Sequence, residues 1–348
     1  MIIRIRKDFY KNIPVVLLFL AIFIFVSGNS DNPDMFATQY YYNNGVIAAD
    51  AVFPSLLQKL SFSIGLNVFE YRILCYAIGF FFIIQGLKNC NINPASFWIM
   101  YAVYPMMMDA VQTDNFIAMG VLFYALTYYY GDSRKEKIRA AIWMIIAVGF
   151  HTAFIAYIPF LIASGLFKKR NIRIMIAFVV ISSILATIFR NRIISLITVL
   201  LTVFMKGDIR VASYFSDTGH WGFLLFWCIH LMLILATFNA YKYTLVYQDD
   251  HKNRIVDVTY RMLVYAVLFF PLYAINSNFF RLSRDLLPLV IASVLQKPAI
   301  SENQKKRRRN MVLLVFILST LLILEVLLSN YDSIFIPFFS KNYIIWGN

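Results

Sequence analysis

The chain has 348 residues, a net charge of +14 at pH 7 and a mean hydropathy of +0.67, and only 14% of its residues are charged. Soluble domains carry about a quarter charged residues, so this composition excludes a soluble enzyme and predicts an all-α, polytopic membrane protein. The basic residues lie in short clusters between apolar runs rather than on one basic face, so nucleic acid is not an expected partner.

The N-terminal region predicts a cytoplasmic start followed by a first membrane span. Residues 1–12 carry four basic residues and precede the apolar run 13–28; positively charged flanks stay on the cytoplasmic side. Similar runs recur to the C-terminus, and we predict about 11 spans (roughly 10 to 12) in a single membrane-embedded domain, residues 1–348. The later predicted spans are 68–87, 92–108, 116–130, two short helices within 139–167, 174–189, 222–238, 260–275, 280–295 and 311–328.

The charge pattern assigns the connecting segments to two sides of the membrane. A single helix through 139–167 would carry the basic cluster after it to the outer side, so we predict a break near His151. Residues 51–66 span about 24 Å as a helix, which favours an interfacial helix on the outer face over a crossing. The predicted cytoplasmic loops are 131–139, 168–173, 239–259 and 297–310, and the predicted outer functional segments are 29–66, 109–115, 190–221 and 276–285.

Arginines in the outer segments need a reason other than topology, and anion binding is the obvious one. Arg281 and Arg284 lie three residues apart at the start of a predicted helix, on one face, and guanidinium groups bind phosphate oxygens through paired hydrogen bonds. Arg210 lies one turn before Tyr214 in a polar, aromatic segment suited to sugars and phosphate. The alternatives are that Arg284 pairs with Asp285 or another acid, that the arginines reach lipid headgroups, and that the Arg210 segment is an ordinary solvated loop.

Histidine chemistry adds a candidate proton acceptor. A neutral histidine can take a proton from a sugar hydroxyl, and His151 lies where the helix must break toward the outer face. Its alternative is a hydrogen-bonded cross-link between helices, which is the reading we prefer for His230 in mid-span. The three cysteines show no metal-ligand spacing, so no metal site and no cofactor are predicted.

Polar residues before the helix that begins near Phe116 are candidates for carbohydrate binding. Asp109 and Gln112 stand at this outer junction, where carboxylate and amide groups could bind sugar hydroxyls. Capping of the helix explains the adjacent Asp114 or Asn115 equally well.

The first outer loop contributes a weaker signal. Asp31 and Asp34 could form an acidic pair, with Asp34 as a substrate ligand, or they could be ordinary loop acids.

Taken in order, these motifs resemble the EpsG family of Wzy-type polysaccharide polymerases. The similar features are an outer loop with Asp and Tyr, the 112–118 stretch opening a helix, Ala147-Val-Gly-Phe-His151, the Arg210 segment and Arg281-Leu-Ser283. One feature departs from the family pattern. The family commonly has Arg-Gln before Ile-Ala, whereas this chain has Asp114-Asn115 before Ile117-Ala118.

The resemblance implies glycosyl transfer at the outer leaflet of the bacterial plasma membrane. A growing glycan would pass from undecaprenyl diphosphate to a hydroxyl of the next lipid-linked repeat unit, giving capsule, exopolysaccharide or O-antigen. Catalytic roles would fall to Arg281, Arg210 and His151, and substrate contacts to Asp109, Gln112, Arg284, Tyr214 and Asp34. Expected partners are the lipid-linked donor and acceptor, membrane lipid, and the flippase and chain-length regulator of the same pathway.

Three other functions fit the same composition. A lipid-linked oligosaccharide flippase would be expected to show internal repetition, which the sequence lacks. A glycosyltransferase that uses single lipid-linked sugars would depend on Asp31 or Asp34. A polysaccharide acyltransferase would also use a membrane histidine.

Overall fold

A computed structural model describes residues 2–45, 52–129, 133–163, 222–244, 254–298 and 303–347, with separate positions between 177 and 195. Within these ranges the fold is all-helical, as predicted, and the backbone pairs in β fashion only at one bridge between Asn29 and Asn342. In the first half the helices are α1 Ile2–Gly28, α2 Met35–Asn43, α3 Val52–Ser63, α4 Val68–Asn89, α5 Pro94–Val103, α6 Pro105–Asp109, α7 Thr113–Thr127, α8 Arg134–Phe150 and α9 Ile158–Ala163.

The described residues of the second half are also helical, and several of their helices are short. Its helices are α10 Gly222–Thr244, α11 Arg254–Ala266, α12 Phe270–Ile275, α13 Arg281–Arg284, α14 Leu287–Leu295, α15 Gln304–Leu321, α16 Ile336–Ser340 and α17 Tyr343–Trp346. Single 3-10 turns precede α9, α12 and α13, and α15 continues as the π-helix Leu322–Leu328.

Four of the described helical stretches are long and apolar enough to cross a membrane: Val68–Asn89, Gly222–Thr244, Arg254–Ile275 and Gln304–Leu328. Shorter apolar helices at Ile13–Gly28, Pro94–Val103 and Thr152–Ile162 accompany them. The protein is therefore a membrane protein. The count of about 11 spans and the cytoplasmic N-terminus stay predictions, and the predicted span 174–189 lies largely outside the described residues.

Several predicted boundaries differ from the structure. Residues 92–108 form two helices rather than one, because Pro105 cannot donate a backbone hydrogen bond and the chain turns at Tyr104. The predicted helix 280–295 is likewise divided between α13 and α14, with Pro288 near the start of α14. The predicted loop 239–259 is shorter, since α10 extends to Thr244 and α11 begins at Arg254.

The break predicted near His151 is confirmed. Helix α8 ends at Phe150, His151 is extended with φ −149° and ψ 116°, and a 3-10 turn over Thr152–Tyr157 leads into α9. The amphipathic helix predicted for 51–66 is also present as α3. Val52, Leu56 and Leu60 of α3 are exposed, as an interfacial helix requires.

Close packing between α4 and α7 fixes the position of the N-terminal end of α7. A Cβ on Gly120 would lie 2.6 Å from the carbonyl oxygen of Gly79, and a Cβ on Gly79 would lie 2.5 Å from the Phe116 ring, so glycine at both positions allows the close approach. Phe116 fills the next layer against Phe80 and Tyr76. This packing holds the start of α7, where Gln112 and Asn115 lie, in a defined place.

Candidate functional site

The segment Arg281–Asp285 is held by hydrogen bonds at four consecutive residues. Tyr157 donates its hydroxyl to the carbonyl oxygen of Leu282. Ser283 pairs with His230 and with the hydroxyl of Tyr273. Arg284 bonds to Gln112 and Glu325, and Asp285 accepts a hydrogen bond from Asn115. The anchoring partners come from different helices of the bundle, so the segment has little freedom to move.

His230 is the partner that orients Ser283. Its Nε2 lies 2.9 Å from the carbonyl oxygen of Leu263, which can only accept, so Nε2 carries the proton and Nδ1 is an acceptor. The Ser283 hydroxyl therefore donates to Nδ1 over 2.6 Å, and Tyr273 donates to the Ser283 oxygen. His230 is a helix cross-link, as preferred from the sequence, but its polar neighbours were not predicted.

Arg284 is held inside the protein by two partners. One guanidinium nitrogen forms an ion pair of 3.1 Å with Glu325, and the other donates to the side-chain oxygen of Gln112 over 2.8 Å. The side chains of Arg284 and Glu325 are 6% and 13% exposed. Tyr104 also donates its hydroxyl to Glu325. Arg284 thus pairs with an acid, which confirms one of the alternatives drawn from the sequence, and that acid is Glu325.

Asp285 completes the anchored segment from the other side. Its carboxylate accepts a hydrogen bond of 2.8 Å from Asn115 at the start of α7. Both residues are buried, and burial raises the pKa of Asp285 to about 6. Asn115 therefore has a structural role, because its hydrogen bond links the start of α7 to the end of α13.

Arg281 differs from the residues that follow it. Its side chain is partly exposed, whereas those of Leu282, Ser283, Arg284 and Asp285 are buried. Its positive charge favours the charged form of Asp34 and disfavours the charged form of His151. The fold thus brings Arg281 within electrostatic range of both residues, and we call the region that the three share the recess.

Asp34 is presented by a loop with a rigid base. Its backbone N–H donates to the side chain of Asn32, which in turn donates to Asn29 over 2.7 Å. The next residue, Met35, is buried beneath Arg72. Asp34 occupies the cap position of α2, yet its carboxylate makes no capping hydrogen bond.

Asp34 is both accessible to solvent and crowded by protein. The residue is exposed, but burial by surrounding protein atoms still raises the pKa of its carboxyl, against the opposing effect of Arg281, Arg72 and Arg284.

His151 contributes a partly exposed imidazole at the end of α8. Its Nδ1 accepts a hydrogen bond of 3.3 Å from the backbone N–H of Ala153, so the side chain caps the 3-10 turn that follows. Burial, with the nearby charge of Arg281, lowers the pKa of His151 to about 4. The imidazole is therefore neutral at pH 7.

Comparison with known proteins identifies the family of this chain. The model of the EpsG family matches residues 12–340. The chain belongs to the EpsG family. No curated protein and no solved structure matches it.

This chain departs from the family pattern at Asp114-Asn115, and the structure gives Asn115 a defined role. As the counterpart of the glutamine in the family's Arg-Gln pair, Asn115 reaches Asp285.

Two predicted site residues of this EpsG-family chain have structural roles. Asp109 is buried and accepts a hydrogen bond of 2.7 Å from Tyr101, while Tyr76 donates to its backbone oxygen. Arg284 is buried and contacts Glu325 and Gln112. Their assignment to sugar or phosphate binding stays a prediction, and their contacts fix the neighbouring helix ends. Gln112 is partly exposed. Arg210 and Tyr214 lie outside the described residues.

Glu325 and Arg72 are the ionisable residues that sequence reasoning missed. Glu325 is a single acid within the apolar run 311–328, and Arg72 is a single arginine within Val68–Asn89. Arg72 is fully buried and donates to the carbonyl oxygen of Ala110 over 2.9 Å. Charges within apolar spans are rare and mark functional or structural polar sites, and that signal could have found both.

Proposed function

We propose that this chain is a polysaccharide polymerase that joins polyprenyl-diphosphate-linked repeat units at the outer face of the plasma membrane. Membership of the EpsG family supports a membrane role in polysaccharide polymerisation. The observation that carries the proposal for this chain is the arrangement of Arg281. Arg281 adjoins a segment anchored at four consecutive residues, and its charge acts on both Asp34 and His151.

Charge distribution along the helices supports the outer location. Helices α1, α8 and α15 each have basic residues at or near their beginning. At their other ends, α1 is followed by the loop that contains Asp34, and α8 is followed by His151. The π-helix after α15 contains Glu325, which pairs with Arg284. Because basic clusters stay in the cytoplasm, the recess belongs at the opposite, outer end.

The chemistry of glycosyl transfer fits this arrangement. As the bond between the anomeric carbon and the diphosphate oxygen breaks, negative charge develops on the diphosphate. A preorganised guanidinium can stabilise that charge with little reorganisation. Arg281 is proposed for this role, with Arg210 as a second cation, while Gln112 and Tyr214 contact sugar. The acceptor hydroxyl must also lose its proton, and Asp34 and His151 are the titratable groups beside Arg281.

A deletion strain tests the proposed function. Sizing of lipid-linked and surface glycans should show the polymer ladder collapse to a single repeat unit on lipid. Complementation with Arg281→Ala should leave the single unit, and Arg281→Lys should recover little polymer because lysine lacks the planar fork of donors. Arg308→Ala is the matched control, since Arg308 is exposed in the basic cluster of α15. Full polymer from Arg281→Ala at normal membrane levels would refute the role of Arg281.

One rival is favoured by a specific observation. Asp34 in the recess also suits a glycosyltransferase that uses single lipid-linked sugars. The product distinguishes the two, because loss of that enzyme leaves an incomplete repeat unit, whereas loss of the polymerase leaves a complete one. A flippase would leave its units on the cytoplasmic side, and an acyltransferase would leave chain length unchanged.

A further inference from the structure

We propose that Asp34, rather than His151, is the general base that accepts the proton of the acceptor hydroxyl, an inference that rests on the proposed glycosyl transfer. Two geometric observations carry it. The first is the occupied nitrogen of His151, and the second is the unused carboxylate of Asp34.

The second ring nitrogen of His151 is a donor rather than an acceptor. A neutral imidazole has one N–H and one free lone pair, and the Nδ1 lone pair is taken by the Ala153 backbone N–H at 3.3 Å. The proton therefore resides on Nε2. Within the described part of the chain no other hydrogen bond to this ring is formed. An Nε2–H group can bind a sugar or phosphate oxygen, but it cannot take a proton from a hydroxyl.

Asp34 has the opposite properties. Its position at the start of α2 would ordinarily explain an aspartate as a helix cap, but its side chain makes no capping bond. Its backbone is nevertheless fixed through Asn32 and Asn29, and the bridge from Asn29 to Asn342 ties this loop to the C-terminal region. A carboxylate that has no structural use and is held on a fixed loop is suited to chemistry.

The neighbours of Asp34 suit proton acceptance. Crowding by protein raises the pKa of the Asp34 carboxyl above that of a free aspartate, and the positive charge of Arg281 opposes this rise. A higher pKa makes the carboxylate a stronger base, while the nearby cation favours its charged, accepting form.

The step balances as a direct displacement. The acceptor oxygen loses its proton to Asp34 and forms a bond to the anomeric carbon of the donor sugar. The bond from that carbon to the diphosphate oxygen breaks, and its electron pair leaves with the polyprenyl diphosphate, beside Arg281. The proton on Asp34 then passes to water or to the departing diphosphate.

Conservative substitutions separate the two candidate bases. His151→Asn keeps a side-chain oxygen to accept the Ala153 N–H and an amide donor, but it has no basic nitrogen. Asp34→Asn removes the base at similar size, and Asp31→Asn is the matched control, an exposed acid in the same loop. Each full-length variant would be purified and given the lipid-linked single units that accumulate in a deletion strain.

We expect Asp34→Asn to lower the polymerisation rate about 100-fold or more, as removal of a general base does. His151→Asn should stay within about tenfold of the wild type, the smaller loss expected when a neutral hydrogen bond alone changes. Formate should accelerate Asp34→Ala, since a small carboxylate can occupy the vacated space, and it should not accelerate Arg281→Ala.

Three results would overturn the assignment: Asp34→Asn with at least a tenth of the wild-type rate, His151→Asn with no activity, or folded Asp34→Ala that formate does not accelerate. Failure of the proposed function has a different signature. In that case the wild-type protein would not extend the lipid-linked units at all, or Arg281→Ala would extend them as well as the wild type.

Discussion

Arg284 donates a hydrogen bond of 2.8 Å to Gln112, which lies 172 residues earlier in the chain. The bond joins two segments that each suggested substrate binding when read separately. With the ion pair to Glu325 at 3.1 Å, it makes Arg284 a structural link among three parts of the bundle. Because Arg284 is fixed and buried, the backbone of the nearby Arg281 is held in a defined place.

Loss of Glu325 should destabilise the protein through Arg284. Glu325→Ala would leave a buried guanidinium without its counter-ion, which typically costs about 3 kcal/mol or more. Thermal unfolding in detergent should show a clearly lower Tm. Glu325→Gln should lose less, because an amide oxygen still accepts from Arg284 and Tyr104. The double variant Arg284→Met, Glu325→Leu should lose less than the sum of its single changes. An unchanged Tm in Glu325→Ala would contradict the role of the ion pair.

Asn115→Asp should make stability strongly dependent on pH. Burial raises the pKa of Asp285 to about 6, so the folded state binds more protons than the unfolded state between about pH 4 and 6, and stability falls as pH rises through this range. A second carboxylate 2.8 Å away would raise the pKa further and extend the fall toward pH 8.

Melting of detergent-solubilised protein at pH 5.5 and pH 8 checks this prediction. The variant should be more stable at the lower pH, and by a larger margin than the Asn115→Ala control, which adds no charge. Equal pH dependence of the two variants would show that Asp285 does not face position 115.

His230→Leu should reduce polymerisation although His230 does not face the recess. The hydroxyl of Ser283 would lose its acceptor, and leaving buried polar groups unpaired costs about 1–3 kcal/mol. The segment that carries Arg281 would then be less well positioned. Cys228→Leu is the control, because this cysteine is exposed on the same helix.

Polymer yield per unit of membrane protein, with Tm measured in parallel, is the readout for His230. A wild-type yield and Tm in His230→Leu would mean that the Ser283 bond does not position the segment.

Gly120→Ala should lower stability by about 1–3 kcal/mol, since overpacking a close contact forces the backbone to shift. The added methyl group would meet the carbonyl oxygen of Gly79 at 2.6 Å and separate α7 from α4. Gly222→Ala is the matched change, because a Cβ there meets nothing within 4 Å. Similar melting temperatures for the two variants would contradict the close approach.

Much of the local structure could be predicted from residue patterns. The break at His151 follows from the basic cluster after residue 167, and the amphipathic α3 follows from the spacing of its apolar residues. The divided helix at Tyr104–Pro105 was missed, because the apolar run continues through a proline that interrupts hydrogen bonding without changing hydropathy.

Prediction of the site was less complete because it depends on pairs distant in sequence. Arg281, Asp34 and His151 could each be selected as polar groups near predicted outer helix ends. That Arg284 meets Glu325, that Asn115 meets Asp285, and that Asp109 points inward could not be read from spacing. Such contacts depend on how helices rotate and pack, and uniformly apolar helices leave that rotation undefined.

By itself the sequence determined that the chain lies in a membrane as a bundle of helices, because apolar runs and basic clusters report on lipid and on charge without reference to partners. The tertiary structure decided which charged residues are enclosed and which remain accessible. Burying a charge in an apolar interior requires a partner, and partners are found only when the helices are assembled. Arg284 and Asp285 have such partners inside the bundle, while Arg281 and Asp34 keep contact with solvent.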